Sequence, residues 1–305
     1  MITGFNYGHQ VLGGVAQYNR EQVARDLDIL KNGGIRHLRI ALSNAAYADG
    51  VEATKLVSVD AIKKGFYVIW GVSHPEKLND NNWQDYASRV RQAAQWAKEQ
   101  GVNEFQIGNE LDATWNPNIQ LTDPIGKIKD LASSIRGVVT PLMTTSYAVA
   151  QDSREGEWIT KGKGSLDRLA YNVYGSNGDF ENFKTKIKRL RDVFKDTLYI
   201  SEWNLHSNWG AFPQDENVRK TEIKKRFDWL QAQNITAYFF TFRGNPQEDG
   251  GNAFATIKPD NTLRPWAEVL LEQNDDGEED GEEAEEKEIV IEFSGRIIIK
   301  DIVTK

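Results

Sequence analysis

Apolar positions along the chain follow two rhythms that take turns. Short β-rich runs occur at ITGFNYG (2–8), IRHLRIAL (35–42), FYVIWGV (66–72), EFQIGNE (104–110), PLMTTSY (141–147), DRLAYNVY (167–174), TLYISEWN (197–204) and AYFFTFR (237–243). Between them lie longer stretches in which apolar residues recur at three- and four-residue spacing, the signature of an amphipathic helix. NREQVARDLDILKNGG is one, and it stops at a Gly pair, a good C-terminal signal. NWQDYASRVRQAAQWAKEQG, DFENFKTKIKRLRDVFKD and NVRKTEIKKRFDWLQAQN behave likewise. Eight strand candidates, each followed by a helical stretch at intervals of roughly 25 to 40 residues, predict an α/β fold of the (β/α)8 TIM-barrel type, whose usual size is about 250 residues. Residues 1–273 fit it. The rival, a doubly wound open sheet, would need fewer strands and usually a Gly-rich first turn. GFNYGHQVLGG has glycines but no GxGxxG spacing.

Both rhythms stop at Asn274. Residues 274–288, NDDGEEDGEEAEEKE, carry ten Asp/Glu against one Lys and read as an acidic disordered linker. Residues 289–305 alternate again, with a turn expected near Ser294–Gly295, as one or two strands of a β-rich tail. Seventeen residues cannot form a core alone. The tail is expected to be a truncation remnant, a fragment of a further module, or a strand for self-association or for docking on a partner domain. The tail itself carries three Lys/Arg against two Asp/Glu, so the formal charge of −8 belongs to the linker and residues 1–273 are neutral.

That balance argues against a nucleic-acid partner. No run reaches the 18 or so apolar residues of a membrane span, and the N-terminus enters a strand directly, so a soluble chain without a leader is expected, with secretion left open. With no Cys, neither disulfides nor thiolate metal sites are possible. Four His in total, without HxH or HExxH spacing, support neither a metal nor any other cofactor.

In a (β/α)8 barrel the C-terminal strand ends face the site. Read in order they offer Asn6, Tyr7 and then His9; Arg39; Trp70 with His74 beyond; Asn109 and Glu110; Asn172 and Tyr174; Glu202, Trp203 and Asn204 with His206 following; and Phe240, Phe242 and Arg243. This is a ring of carboxylates, amides, aromatics and guanidinium groups. Two glutamates across a barrel mouth suit glycoside hydrolysis, which needs one protonated and one ionised carboxyl and proceeds with retention or inversion according to their separation.

The motifs IGNEL and ISEWN make the likeness specific. The chain resembles clan A glycoside hydrolases, (β/α)8 enzymes with Asn-Glu ending strand four and Glu ending strand seven. The resemblance covers about residues 1–273 and does not single out a family. It implies a retaining mechanism with Glu110 as acid/base, Glu202 as nucleophile and Asn109 on the sugar 2-hydroxyl. Arg39 matches an Arg that helps keep the nucleophile ionised, Tyr174 a Tyr that hydrogen-bonds it, and His74 a His found after strand three. Two departures stand out. Many clan members have His two positions before the strand-six Tyr, where this chain has Asn172. Many also have Trp at the end of strand eight, where this chain has Phe240 and Phe242.

Nine Trp are more than packing requires. Trp96 and Trp229 lie in helical patterns and are expected in the core, with Trp83 structural at a helix start. Trp70, Trp115, Trp203 and Trp209 follow strands, where a flat face could stack on a pyranose. Trp158 fits either role, and His206 either substrate contact or loop structure. The 245–252 loop, NPQEDGGN, reads as a subsite loop, since its two acids would repel phosphate. The expected activity is endo-cleavage of a β-linked poly- or oligosaccharide. A transglycosylase of the same fold and a non-catalytic carbohydrate-binding barrel are the alternatives.

Overall fold

The computed structural model describes residues 2–7, 18–41, 49–139, 143–175, 178–205, 215–243 and 254–271, with short pieces at 292–293 and 297–298. Two units are distinguished, Met1–Asn274 and Asp275–Lys305. In the first, eight parallel strands form the sheet: β1 (Thr3–Tyr7), β2 (His37–Ala41), β3 (Tyr67–Gly71), β4 (Glu104–Asn109), β5 (Thr144–Val149), β6 (Arg168–Gly175), β7 (Leu198–Leu205) and β8 (Ala237–Phe239). They close into a barrel in the order β1-β8-β7-β6-β5-β4-β3-β2. The helices α1 (Arg20–Asn32), α2 (Asp49–Lys63), α3 (Trp83–Glu99), α4 (Pro124–Val139), α5 (Glu155–Lys161), α6 (Phe180–Phe194), α7 (Glu216–Ala232) and α8 (Ala267–Leu271) alternate with them. This is the (β/α)8 barrel that the sequence predicts. β5 starts three residues later than its sequence pattern, and the β8 ladder stops at Phe239, short of Arg243.

The helices are built from local signals that agree with their packing. Asn19 caps α1 by accepting from the Gln22 N–H, and Gly33 ends it, so that Val23, Leu27 and Leu30 are buried on one face. Asp215 caps α7 in the same way through the Asn217 N–H. Strand alternation then sorts side chains between two layers. On β3, Val68 and Trp70 join the large cluster between sheet and helices, whereas Tyr67 and Ile69 pack with Ala148, Ala170, Tyr199 and Tyr238 inside the barrel.

Two strands break the alternation. Where β8 advances from Ala237 to Phe239, β7 advances from Ile200 to Trp203, one residue more. Where β5 advances from Ser146 to Ala148, β4 advances from Gln106 to Asn109. Each extra residue is a bulge, and beyond it the facing of every side chain is reversed. Trp203 therefore joins Leu198, Ile200 and Leu205 in the outer layer. Glu202 and Asn109 turn inward instead.

The N-terminal end of the barrel is closed by a polar floor. Arg168 donates to Glu104 Oε2 at 2.9 Å, Tyr67 Oη reaches the same oxygen at 3.3 Å, and the Arg168 guanidinium lies 4.2 Å from the Tyr199 ring centre. In the second unit, Glu292–Phe293 pairs antiparallel with Ile297–Ile298, two short strands on either side of the expected turn. The acidic stretch 274–288 lies outside the described residues.

Candidate active site

Arg39, on β2, organises the C-terminal mouth. Its Nε and Nη2 donate to Gln106 Oε1 at 2.9 and 2.6 Å. Nη1 donates to Asn6 Oδ1 at 2.6 Å and to Glu202 Oε1 at 2.7 Å, and Nη2 also reaches Asn109 Oδ1 at 2.8 Å. A guanidinium carries five N–H donors, so every one is used. The side chain is wholly shielded from solvent.

Glu202, aimed inward by the β7 bulge, accepts from Arg39 on one oxygen and from Tyr174 Oη on the other, at 2.6 Å. A cation and a phenol thus hold its two oxygens, one each. Asn172 spans the gap between the two motif strands. Its Nδ2 donates to Asn109 Oδ1 at 3.1 Å, and its Oδ1 accepts from Ser201 Oγ at 2.6 Å.

Glu110 follows the last residue of β4 in the left-handed region, with φ of 56°. A non-glycine residue holds that conformation only when its surroundings impose it. Here the Glu110 N–H donates to Ala148 O at 2.9 Å, and its carbonyl accepts from the Ala113 N–H at 3.0 Å. The turn is tight enough that a Cβ on Gly108 would sit 2.7 Å from Leu111 Cδ1. Burial, and after it the negative charge of Glu202, push the Glu110 carboxyl up to about 8; Asp112 adds to the rise, while the Asn172 hydrogen bond and Arg39 oppose it. At neutral pH one glutamate thus holds a proton beside another whose charge is compensated. Such a divergence between neighbouring carboxyls separates acid from base in a catalytic pair.

Of the residues singled out from the sequence, Arg39, Asn109, Asn172, Tyr174 and Glu202 meet in one hydrogen-bonded network, and Glu110 stands at its edge. His74 is buried and donates Nδ1–H to the Pro75 carbonyl at 2.6 Å; burial lowers its pKa. Trp115 is 55% exposed, with its indole N–H held by Gln151 O at 3.1 Å. Trp70 and Trp203 are corrections. Trp70 is fully buried against Trp96 and Phe105, and Trp203 stacks on Phe227 of α7, so neither offers a face to a sugar. Alternation alone puts Trp70 on the outer face, and the bulge puts Trp203 there. Trp158 is also core, its indole N–H bonded to Asp112 Oδ2 at 2.8 Å. Phe242 packs on Phe5 and Tyr7, which leaves Phe240 as the strand-eight aromatic beside Tyr174, ring centres 6.0 Å apart. His206, Trp209 and the 245–252 loop lie outside the described residues.

Gln106 and Asp112 escaped sequence reading. Gln106 carries a faint signal, a lone amide within an otherwise apolar run. Among the described residues, no group of three or more His, Asp or Glu is arranged to hold a metal ion.

The model of the glycosyl hydrolase catalytic core family matches residues 79–269, more than half of the chain. The chain belongs to that family. The glycosyl hydrolase core shares its fold with a GH113 β-1,4-mannanase at 12% identity and a TM-score of 0.61, covering 77% of this chain and 86% of that one. A hyperthermophilic endocellulase from the archaeon Pyrococcus horikoshii aligns at 12% identity and 0.62, over 88% and 92% of the two chains. A β-glucuronidase from Ruminococcus gnavus aligns at 14% and 0.64, over 88% of this chain and 48% of that one. No curated protein matches the sequence. Like the mannanase and the endocellulase, this glycoside hydrolase presents a barrel, and its candidate site occupies the end where barrel enzymes carry their chemistry. No helix among the described residues is long and apolar enough to cross a membrane.

Proposed function

We propose that this glycoside hydrolase cleaves β-linked polysaccharide internally and with retention, using Glu110 as acid/base and Glu202 as nucleophile. The observation that carries the reading is the unequal treatment of the two glutamates. Glu202 is cradled by Arg39 and Tyr174, whereas Glu110 is kept protonated by burial and by its neighbours' charge. In the first step Glu202 attacks the anomeric carbon while Glu110 gives its proton to the departing glycosidic oxygen. In the second step Glu110, now ionised, takes a proton from water. The water oxygen bonds to the anomeric carbon and Glu202 leaves. Asn109, held by Arg39 and Asn172, makes the contact with the sugar 2-hydroxyl that strengthens in the transition state. Phe240, half-exposed beside Tyr174, supplies the apolar floor under the reacting sugar.

Endo action is supported by the likeness in fold to an endocellulase and a mannanase. Residues 274–305 are assigned no role in catalysis, and their removal is expected to leave turnover unchanged. The deciding experiment screens β-linked glucans, mannans, xylans and galactans with the wild type and Glu202→Ala, following product anomers by NMR. Retained anomers from the wild type alone are expected. Inverted product would overturn the mechanism. Binding without turnover in the wild type would instead mark a carbohydrate-binding barrel.

Trp115 favours a second reading, transglycosylation. An exposed indole five residues beyond the acid/base in the chain offers an acceptor sugar a face to stack on. Excess oligosaccharide acceptor should then produce chains longer than the substrate, and their absence would leave hydrolysis alone.

A further inference from the structure

Asp112 lies two residues beyond Glu110, and all of its polar groups are engaged. Its Oδ1 accepts from Tyr147 Oη at 2.7 Å and from the Ala150 N–H at 3.1 Å, and its Oδ2 accepts from Trp158 Nε1 at 2.8 Å. Its own N–H donates to Tyr147 Oη at 3.1 Å, and its carbonyl accepts from Ser153 Oγ at 2.5 Å. The residue is fully buried, and Tyr147 and Trp158 stack with ring centres 5.3 Å apart. No cation is among these partners to offset the charge of the carboxylate.

We propose that Asp112 is the positioning residue of the acid/base: it pins the 110–113 turn to the α5 side of the barrel and sets a carboxylate two residues from Glu110. The first half follows from the contacts. The left-handed Glu110 backbone is secured from β5 by Ala148 and from within the turn by Ala113. Asp112 fastens the middle of that turn to β5, to the Ala150–Ser153 segment and to α5 at once. The second half follows from charge. Glu202 and Asp112 are the anions that disfavour ionisation of Glu110, Arg39 is the cation that favours it, and the neutral Asn172 donates to it. Tyr174, on Glu202, and Tyr147, on Asp112, are the neutral phenols nearby. Burial raises the Asp112 pKa to about 6, which leaves it ionised over the neutral range in which Glu110 must stay an acid.

This inference rests on Glu110 being the acid, so its test compares substrates that need an acid with substrates that do not. Wild type, Glu110→Gln, Asp112→Asn and Trp158→Phe are compared by kcat/KM, which reports the first step and not the hydrolysis of the intermediate, on 2,4-dinitrophenyl and phenyl β-glycosides of the sugar that wild type cleaves fastest. The dinitrophenolate leaves without a proton. Phenolate needs more help, and general-acid assistance contributes roughly 10²–10⁴-fold where it is required. Glu110→Gln calibrates the assay: equal loss on both substrates would overturn the acid assignment itself, whatever Asp112 does. With that assignment standing, Asp112→Asn is expected to lose about tenfold or more on the phenyl substrate and only about threefold or less on the other. Its basic pH limb should also move to lower pH, since the neighbouring charge is gone. Trp158→Phe removes one donor and leaves the charge. It should show a smaller split between the substrates, without the downward move of the limb. Equal losses on both substrates with an unmoved limb in Asp112→Asn would reduce Asp112 to a structural role. If Asp112→Asn does not fold, equal losses in Trp158→Phe would overturn the positioning on their own.

Discussion

The barrel encloses two Arg–Glu pairs, one at each end, and they are built to opposite purposes. At the floor, Glu104 is fully buried and faces Arg168, whose side chain is 23% exposed and lies over an aromatic ring. At the mouth, Arg39 is the sealed partner and Glu202 retains some exposure, 11% of its side chain. The floor pair answers its own charges and ends there. The mouth pair has a second glutamate beside it, and among the described residues Arg39 is the cation acting on that group. An internal ion pair is therefore weak evidence of a site on its own. A carboxyl left over once the cation is engaged is stronger evidence, because it must either protonate or destabilise the fold.

The sharpest break of this comparison is Glu202→Gln, which should lower kcat by roughly 10⁴-fold or more while the amide oxygen still accepts from Arg39. A steady-state assay on the cleaved polysaccharide, with a circular-dichroism spectrum as folding control, checks it. Next is Glu104→Gln at the floor, which leaves Arg168 without its counter-charge. A loss of about 2–3 kcal/mol is expected, less than for a sealed pair because Arg168 reaches solvent, with kcat unchanged. Thermal melts and activity per folded molecule read both quantities.

Glu110→Gln should act in the other direction on stability. The folded carboxyl titrates near 8 against an ordinary value of 4.5. Between those values the unfolded chain releases the proton and the folded chain does not, so native stability falls as pH rises through that window. A glutamine escapes this loss. The variant's Tm should exceed wild type by roughly 6–10 °C at pH 7, about 3 kcal/mol, and the gain should vanish below pH 4.5. In wild type the same titration predicts a basic limb of kcat/KM near pH 8. Smallest is Trp115→Ala, expected to raise KM for polysaccharide several-fold with stability unchanged within about 0.5 kcal/mol, as for an exposed side chain; titration calorimetry with oligosaccharide would show the weakened binding.

The eight-fold repeat of strand and helix was legible in the sequence because each element carries its own period and its own stop signals. The two motif glutamates were legible because they fall at the ends of the fourth and seventh strands. The tryptophans were less so. The outward face of Trp70 follows from simple alternation, but the facing of Trp203 depends on a bulge that only the register with β8 reveals. Asp112 looked like one acid among many in a turn. Its burial is supplied by Tyr147 and Trp158, distant in sequence, and no local pattern announces that meeting. Gln106 likewise gains its meaning from Arg39 on another strand.

The saturated guanidinium of Arg39 has a practical consequence. Its five N–H protons are all hydrogen-bonded and shut away from solvent, so their exchange with water should be slow enough for separate proton resonances. One of those protons points at Glu202. Forming a glycosyl ester on Glu202 would neutralise that carboxylate and displace the resonance, an internal spectroscopic probe of the proposed covalent intermediate without any label attached to substrate or protein.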